Sequence, residues 1–91
     1  MGMIQFFMQT LTINEAVSLI LSEMSGREKL IVRNTKKEDL IKLHLTWGNK
    51  IRNRLGLWNG NNALFKDAQT DHPDSVTSII MNAVWDELQK G

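Results

Sequence analysis

The chain has 91 residues, 42% of them hydrophobic, and a formal net charge of +1 at pH 7. This length allows one hydrophobic core and is too short for two, and the near-neutral charge argues against a disordered tail or a highly charged nucleic-acid coat. The sequence contains no cysteine, which excludes disulfides and cysteine-ligated metal sites and is typical of a reducing, cytoplasmic location.

Residues 1–11 are predicted to form an apolar arm that precedes a single helical domain at residues 12–91. The arm lacks a basic start, an unbroken apolar run and a small-residue cleavage site, so we do not expect a signal peptide. Ile4, Phe6 and Met8 alternate like a strand, but the rest of the chain offers no strand to pair with them. The arm either packs on its own domain or covers a groove on a second copy, which would make a homodimer. No later segment approaches the ~20 apolar residues of a membrane-spanning helix.

The first helix is predicted to begin at Thr12, because Thr12 and Glu15 have the spacing of a capping box. Apolar residues then recur at helical spacing for about a dozen residues. Ser25-Gly26 is expected to end this helix, with the glycine in the left-handed conformation. Residues 27–33 follow, and their charged, helix-forming members favour a short helical turn over a strand.

The central helix is predicted to run from Thr35 to about Leu55. Thr35 and Glu38 repeat the capping-box spacing. The residues of one face then recur at intervals of three and four, at Leu40, Leu43, His44, Trp47, Ile51 and Leu55. Gly56 stands just past the last of them, where a helix commonly ends.

The remaining chain is predicted to turn back after Gly56, to place Trp58 on the core and to form a short helix at 63–68 with Leu64 and Phe65 buried. Pro73 suits the first position of a last helix. The apolar stripe of that helix is expected to comprise Val76, Ile79, Ile80, Ala83, Val84 and Leu88. The sequence therefore predicts an all-α fold: a small orthogonal or irregular helical bundle of three main helices and two short ones.

Charge is unevenly distributed along the chain. Residues 27–54 hold nine Lys or Arg against three Asp or Glu, whereas residues 55–91 hold two against five. A basic segment of this kind can bind phosphates, and the residues for such a nucleic-acid site would be Arg33, Lys36, Lys37, Lys50, Arg52 and Arg54. Five cations of this segment point in several directions around a helix, namely Lys37, Lys42, Lys50, Arg52 and Arg54. We therefore favour a surface that is solvated or paired with acidic residues.

The most individual segment joins Arg52-Asn53-Arg54 to a turn that contains Trp58. Arginine and tryptophan are enriched among residues that dominate binding energy at protein interfaces. The candidate partner-binding residues are Arg52, Asn53, Arg54, Trp58, Asn59 and Asn61, together with Phe6 and Phe7 of the arm. In the alternative interpretation, Asn53 and Asn61 bond the loop backbone and Trp58 fills the core.

Residue types used in catalysis are present but poorly arranged. His44, His72, Asp71 and Asp74 do not have a recognised metal-ligand spacing. Ser75 follows Asp74 within one helical turn, and such close neighbours cannot form a catalytic triad. We therefore predict no catalytic residue, no metal, no cofactor and no small-molecule substrate, and we do not expect an enzyme.

A resemblance to a known family rests on residues from most of the chain. They are Asp39-Leu40-Ile41-Lys42-Leu43-His44, Gly48, Ile51-Arg52-Asn53, Gly56-Leu57-Trp58, Asn61, Leu64, His72-Pro73-Asp74, Ile80, Trp85 and Leu88. With these residues the chain resembles a family of small helical bacterial domains of unknown function, from roughly Thr12 to Leu88. The resemblance implies a helical domain and supplies no reaction, ligand or partner.

Two functional hypotheses follow from the sequence. The first is a non-catalytic protein-interaction module, of an accessory, immunity-type or phage-related kind, which binds an unknown protein or a second copy of itself. The second is a nucleic-acid-associated regulator that uses the basic segment at 27–54.

Overall fold

The computed structural model describes residues 12–57 and 62–90, and helices form most of these residues. The helices are α1 (Ile13–Glu23), α2 (Gly26–Asn34), a 3-10 helix (Lys37–Leu43), α3 (Trp47–Arg54), α4 (Asn62–Ala68) and α5 (Pro73–Lys90). No strand lies within the described ranges, and the all-α prediction is confirmed. The predictions for the arm at residues 1–11, and for Trp58 as a core residue, fall outside the described residues.

Helix α1 begins where the capping box predicts. The Thr12 hydroxyl accepts a hydrogen bond from the backbone N–H of Glu15, and the Glu15 carboxylate accepts one from the backbone N–H of Thr12 at 2.9 Å. Two N–H groups that a helix start leaves without partners are thereby satisfied. The helix buries Ala16, Val17 and Ile20 in the core.

The predicted glycine stop at Ser25-Gly26 is wrong. Ser25 is the N-cap of α2, and it exchanges hydrogen bonds with Glu28 in a second capping box. Gly26 is the first residue of α2, and among the described glycines the left-handed φ occurs at Gly56. The serine and glutamate spacing therefore determines the local structure, because it satisfies two N–H groups that a glycine stop would leave exposed.

The prediction of one central helix from Thr35 to Leu55 is also wrong. Thr35 ends α2, and its hydroxyl donates to the Ile31 carbonyl at 2.7 Å, so this hydroxyl does not cap a following helix. The chain instead forms the 3-10 helix, a turn at residues 44–46 and then α3. The predicted end is confirmed, since α3 finishes before Gly56, whose φ is 66°.

Two features account for the break between the 3-10 helix and α3. The Arg52 guanidinium folds back and donates to the His44 carbonyl at 3.1 Å, which takes that carbonyl out of a continuous helix. Gly48 lets α3 approach α5 closely, because a β-carbon at Gly48 would lie 3.2 Å from the Thr77 methyl group. A straight helix through these residues would break the first contact and move Gly48 away from Thr77.

Helix α5 is the common packing partner of the domain, since α1, α2, the 3-10 helix, α3 and α4 all contact it. It buries Val76, Thr77, Ile80, Met81 and Val84. The predicted stripe is confirmed at Val76, Ile80 and Val84, and also at Ala83 and Leu88, which pack against the core while partly buried. It is wrong at Ile79, which is 40% exposed. Thr77 is buried without cost to its hydroxyl, which donates to the Pro73 carbonyl at 2.7 Å.

Helix α4 matches its prediction closely. Leu64 is fully buried and Phe65 packs against the core while half-buried. A loop follows to His72, and Pro73 is the first residue of α5 as expected. None of the described helices is long and apolar enough to cross a bilayer.

Candidate functional site

A cluster of three polar side chains ties α3 to the turn at 44–46 and to the first turn of α5. Arg52 is only 4% exposed, and its two terminal nitrogens lie 3.0 Å from His44 Nε2 and 3.1 Å from the His44 carbonyl. Asp74 Oδ1 lies 3.5 Å from His44 Nε2 and 3.7 Å from the guanidinium.

This cluster joins His44 to α3. A guanidinium only donates hydrogen bonds, so Arg52 donates to the His44 carbonyl and, where Nε2 carries no proton, to the ring as well. These contacts hold the turn at 44–46 against α3, and we assign Arg52 a structural role there.

The predicted partner-binding residues do not form one surface in the described part of the chain. Arg52 is buried, Asn53 is exposed, and Arg54 is half-buried and paired with Glu23, whose carboxylate oxygen lies 2.7 Å from Arg54 Nη2. The remaining members of the prediction, Trp58, Asn59, Asn61, Phe6 and Phe7, lie outside the described residues.

Most cations of the predicted nucleic-acid site contact acidic residues of the same chain. Lys37 pairs with Asp86 at 3.2 Å and lies 5.5 Å from the centre of the Trp85 ring, and Lys50 pairs with Glu28 at 3.3 Å. Arg54 pairs with Glu23 and Arg52 is buried, as described above. Arg33 and Lys36 are exposed. The expected pairing of the basic segment with acidic residues is therefore present at Lys37, Lys50 and Arg54.

Two of these ion pairs shift the titration of their carboxylates. Hydrogen bonds from Arg54 lower the pKa of Glu23. The backbone N–H of Ser25 is the largest cause, and the Lys50 ammonium the next, of a lowered pKa for Glu28. Both carboxylates are more than a third exposed, so solvent screens these interactions and their contribution to stability is small.

The lowered pKa values predict that acid destabilises the fold in part through Glu23 and Glu28. A carboxyl whose pKa is lower in the folded state contributes stability above its ordinary pKa of 4.5, and this contribution is lost as the pH falls through the folded value. Urea unfolding of the variant Glu23→Gln/Glu28→Gln between pH 7 and pH 3 is expected to lose less stability than the parent, by about 1 kcal/mol or less. Glu38→Gln, another exposed carboxylate, is the control. An unchanged pH dependence in the double variant would contradict the prediction.

The exposed apolar residues are concentrated in one part of the chain. Four large aliphatic side chains are more than half exposed, from 52% for Ile31 to 83% for Leu45. Two lie on α2 and two on the segment from the 3-10 helix to α3; they are Leu30, Ile31, Ile41 and Leu45, and we call them the α2–turn surface. An apolar groove of about 220 Å³ lies beside Ile31, between α2 and the turn, and Val32, Leu43 and Thr46 also line it.

Sequence reasoning did not select these residues for binding, although one signal was available. Leu30, Ile31 and Val32 are consecutive in a helix. Consecutive helical residues diverge by ~100°, so three apolar neighbours cannot all face one core. The structure buries Val32 and leaves the other two in contact with solvent.

Comparisons with known proteins give one match. The family model described as "Domain of unknown function (DUF6794)" matches residues 11–88, which confirms the predicted resemblance, from Thr12 to Leu88, to a family of small domains of unknown function. No curated protein and no solved structure matches the chain. No group of three or more metal-binding side chains occurs among residues 12–57 and 62–90.

Proposed function

The chain belongs to the family described as Domain of unknown function (DUF6794), and from that premise we propose that it is a non-catalytic protein-interaction module. Its docking site is the α2–turn surface, and its partner is another protein. The cysteine-free sequence supports a reducing cytoplasm as its location. An accessory, immunity-type or phage-related role would use such a module.

The observation that carries this proposal is the exposure of four large aliphatic side chains within residues 30–45. Single exposed aliphatic residues are common on monomeric proteins, whereas contiguous apolar patches mark interaction surfaces. Leu30, Ile31 and Ile41 each border a separate hollow, and the proposal requires one partner that reaches across them. Burial of one Leu or Ile side chain is worth about 1.5–3 kcal/mol relative to full exposure. A partner that covers the α2–turn surface would therefore gain a large part of its binding energy there.

The alternative, a nucleic-acid-associated regulator, has weaker support. Of the six cations that the alternative uses, Lys37, Lys50 and Arg54 contact acidic residues, and Arg52 is buried. Neutralised or buried cations release few counterions from a nucleic acid, so they contribute little affinity. A gel shift with duplex DNA at low salt tests this alternative directly.

A capture experiment with crosslinking tests the interaction module. The double variant Ile41→Ser/Leu45→Ser removes the two most exposed aliphatic side chains. Because the loss of interface anchors weakens binding strongly, we expect the recovered amount of each specific partner to fall by about tenfold or more. Ile79→Ser is the matched control, because Ile79 is an exposed aliphatic residue on α5.

The experiment measures, with a label, how much of each crosslinked protein is recovered. A crosslinked second copy of the chain is measured in the same way. Equal recovery by the parent and the double variant would refute docking at the α2–turn surface. Equal loss in Ile79→Ser would refute it as well, since that result indicates nonspecific adhesion of apolar residues.

A further inference from the structure

Helix α2 and Lys36 just after it carry four cations that form no ion pair within residues 12–57 and 62–90. Six cations elsewhere in the described ranges lie within 4.0 Å of an acidic side chain: Lys37, Lys42, Lys50, Arg52, Arg54 and Lys90. Within those ranges Arg27, Lys29, Arg33 and Lys36 form no ion pair. The residues outside the described ranges contain no Asp or Glu.

These cations alternate with the exposed aliphatic residues on the outer side of α2. Arg27 and Ile31 are four residues apart, and Leu30 and Arg33 are three apart, so each pair lies side by side on the helix. The inner side is marked by Val32, which is buried. The outer side of α2 is therefore both apolar and cationic.

A shallow hollow extends this outer side towards α5. Lys29, Leu30 and Arg33 line it from α2, and Leu88 and Glu87 line it from α5, around a volume of about 260 Å³. The Glu87 carboxylate accepts a 2.7 Å hydrogen bond from Lys90 and forms no ion pair within 4.0 Å with Lys29 or Arg33. The hollow thus offers an apolar floor with a positively charged edge.

From this combination we propose that the partner of the α2–turn surface is an acidic amphipathic segment of another protein. Its carboxylates meet Arg27, Arg33 and Lys36, and its aliphatic or aromatic side chains cover Leu30 and Ile31. This inference rests on the proposed function and adds the chemistry of the partner to it.

Charge complementarity and apolar contacts favour this partner over a second copy docked by the same face and over a nucleic acid. A second copy that docks by the same face would bring two sets of unneutralised cations together, which is unfavourable. A nucleic acid would meet the cations but would leave Leu30 and Ile31 without apolar contacts. An acidic segment with apolar residues at intervals of three and four satisfies both parts of the surface.

The test is an NMR titration of the full ¹⁵N-labelled chain with three helical peptides. The three peptides have leucine at the same positions and carry Glu, Gln or Lys at the remaining positions. Poly-glutamate and duplex DNA are the control ligands, because they are polyanions without apolar side chains that could act as anchors. We expect the Glu peptide to bind at least about tenfold more tightly than the Gln peptide, to shift amides of α2 and residues 41–45, and to weaken as salt rises.

Variants separate the two parts of the surface. Arg27→Gln/Arg33→Gln/Lys36→Gln is expected to reduce the affinity for the Glu peptide to that of the Gln peptide. Lys66→Gln is the control, because Lys66 is an exposed cation on α4 without an ion pair in the described chain. Leu30→Ser/Ile31→Ser is expected to lose binding of both peptides.

The outcomes distinguish this inference from the proposed function. If the Glu and Gln peptides bind equally well at α2, the acidic partner is refuted and the docking surface stands. If poly-glutamate or DNA binds as tightly as the Glu peptide, the surface is a polyanion site and both proposals fail. If no peptide binds, the acidic amphipathic partner is refuted, and the crosslinking result for Ile41→Ser/Leu45→Ser decides the docking surface separately.

Discussion

Replacement of Arg52 by lysine is expected to lower the free energy of unfolding by about 2–3 kcal/mol. From a buried position the guanidinium contacts both the ring and the carbonyl of His44. A hydrogen bond from a charged group is worth about 1.5–3 kcal/mol, and we expect lysine to keep at most one of these two contacts. A lysine ammonium cannot reproduce this planar fork. The turn at 44–46 should therefore lose its main support.

Arg54→Lys is the matched control, because it makes the same chemical change on the same helix at a half-buried position. Its ion pair with Glu23 is partly solvated, so we expect a loss below about 1 kcal/mol. Urea unfolding measures both variants, and thermal unfolding should show a decrease of roughly 10 °C or more for Arg52→Lys. Equal stability of the two variants would refute the structural role of Arg52.

Replacement of Ile80 by alanine is expected to cost about 3 kcal/mol, within the range of 2–5 kcal/mol for large-to-small changes in a core. Ile80 is completely buried on α5, the helix that all the others contact. The alanine removes three buried carbon atoms and leaves a cavity that close-packed neighbours fill only in part.

Ile79→Ala provides the comparison for this prediction, because Ile79 precedes Ile80 on the same helix and is 40% exposed. We expect a loss of about 1 kcal/mol or less, since half-exposed side chains contribute little packing. Urea unfolding of the two variants measures the difference. A similar loss of unfolding free energy in both variants would mean that α5 is rotated about its axis relative to the orientation described.

Features that depend on a few neighbouring residues were predictable from the sequence. Thr12 with Glu15 predicts the start of α1, Gly56 predicts the end of α3, and Pro73 predicts the start of α5, and the structure confirms all three. At Ser25 two local signals competed, a glycine stop and a capping box. The second prevailed because it satisfies backbone N–H groups of α2.

Features that depend on distant residues were not predictable. The apolar spacing through residues 40–55 fits one continuous helix, and it is the contact of Arg52 with the His44 carbonyl that accompanies the break. Similarly, the Thr35 carbonyl accepts a hydrogen bond from the Trp85 indole at 2.7 Å, across fifty residues of sequence. Periodicity contains no information on such contacts.

The candidate surface could not be predicted from the sequence for a similar reason. The sequence identifies the basic segment, but it does not identify which cations meet acidic residues. Lys37 pairs with Asp86, far along the chain, whereas Arg33 and Lys36 have no ion pair in the part of the chain that the structure describes. Which side of α2 is buried likewise depends on packing against α5.

The position of α5 has a consequence for the synthesis of this protein on the ribosome. Helices α1 to α4 pack on α5, whose 18 residues are the last of the described chain to be made. At about 5–20 residues per second, translation of α5 takes about one to four seconds. During that time the earlier helices lack the partner that they all share, and the apolar faces that α5 covers in the finished fold stay exposed.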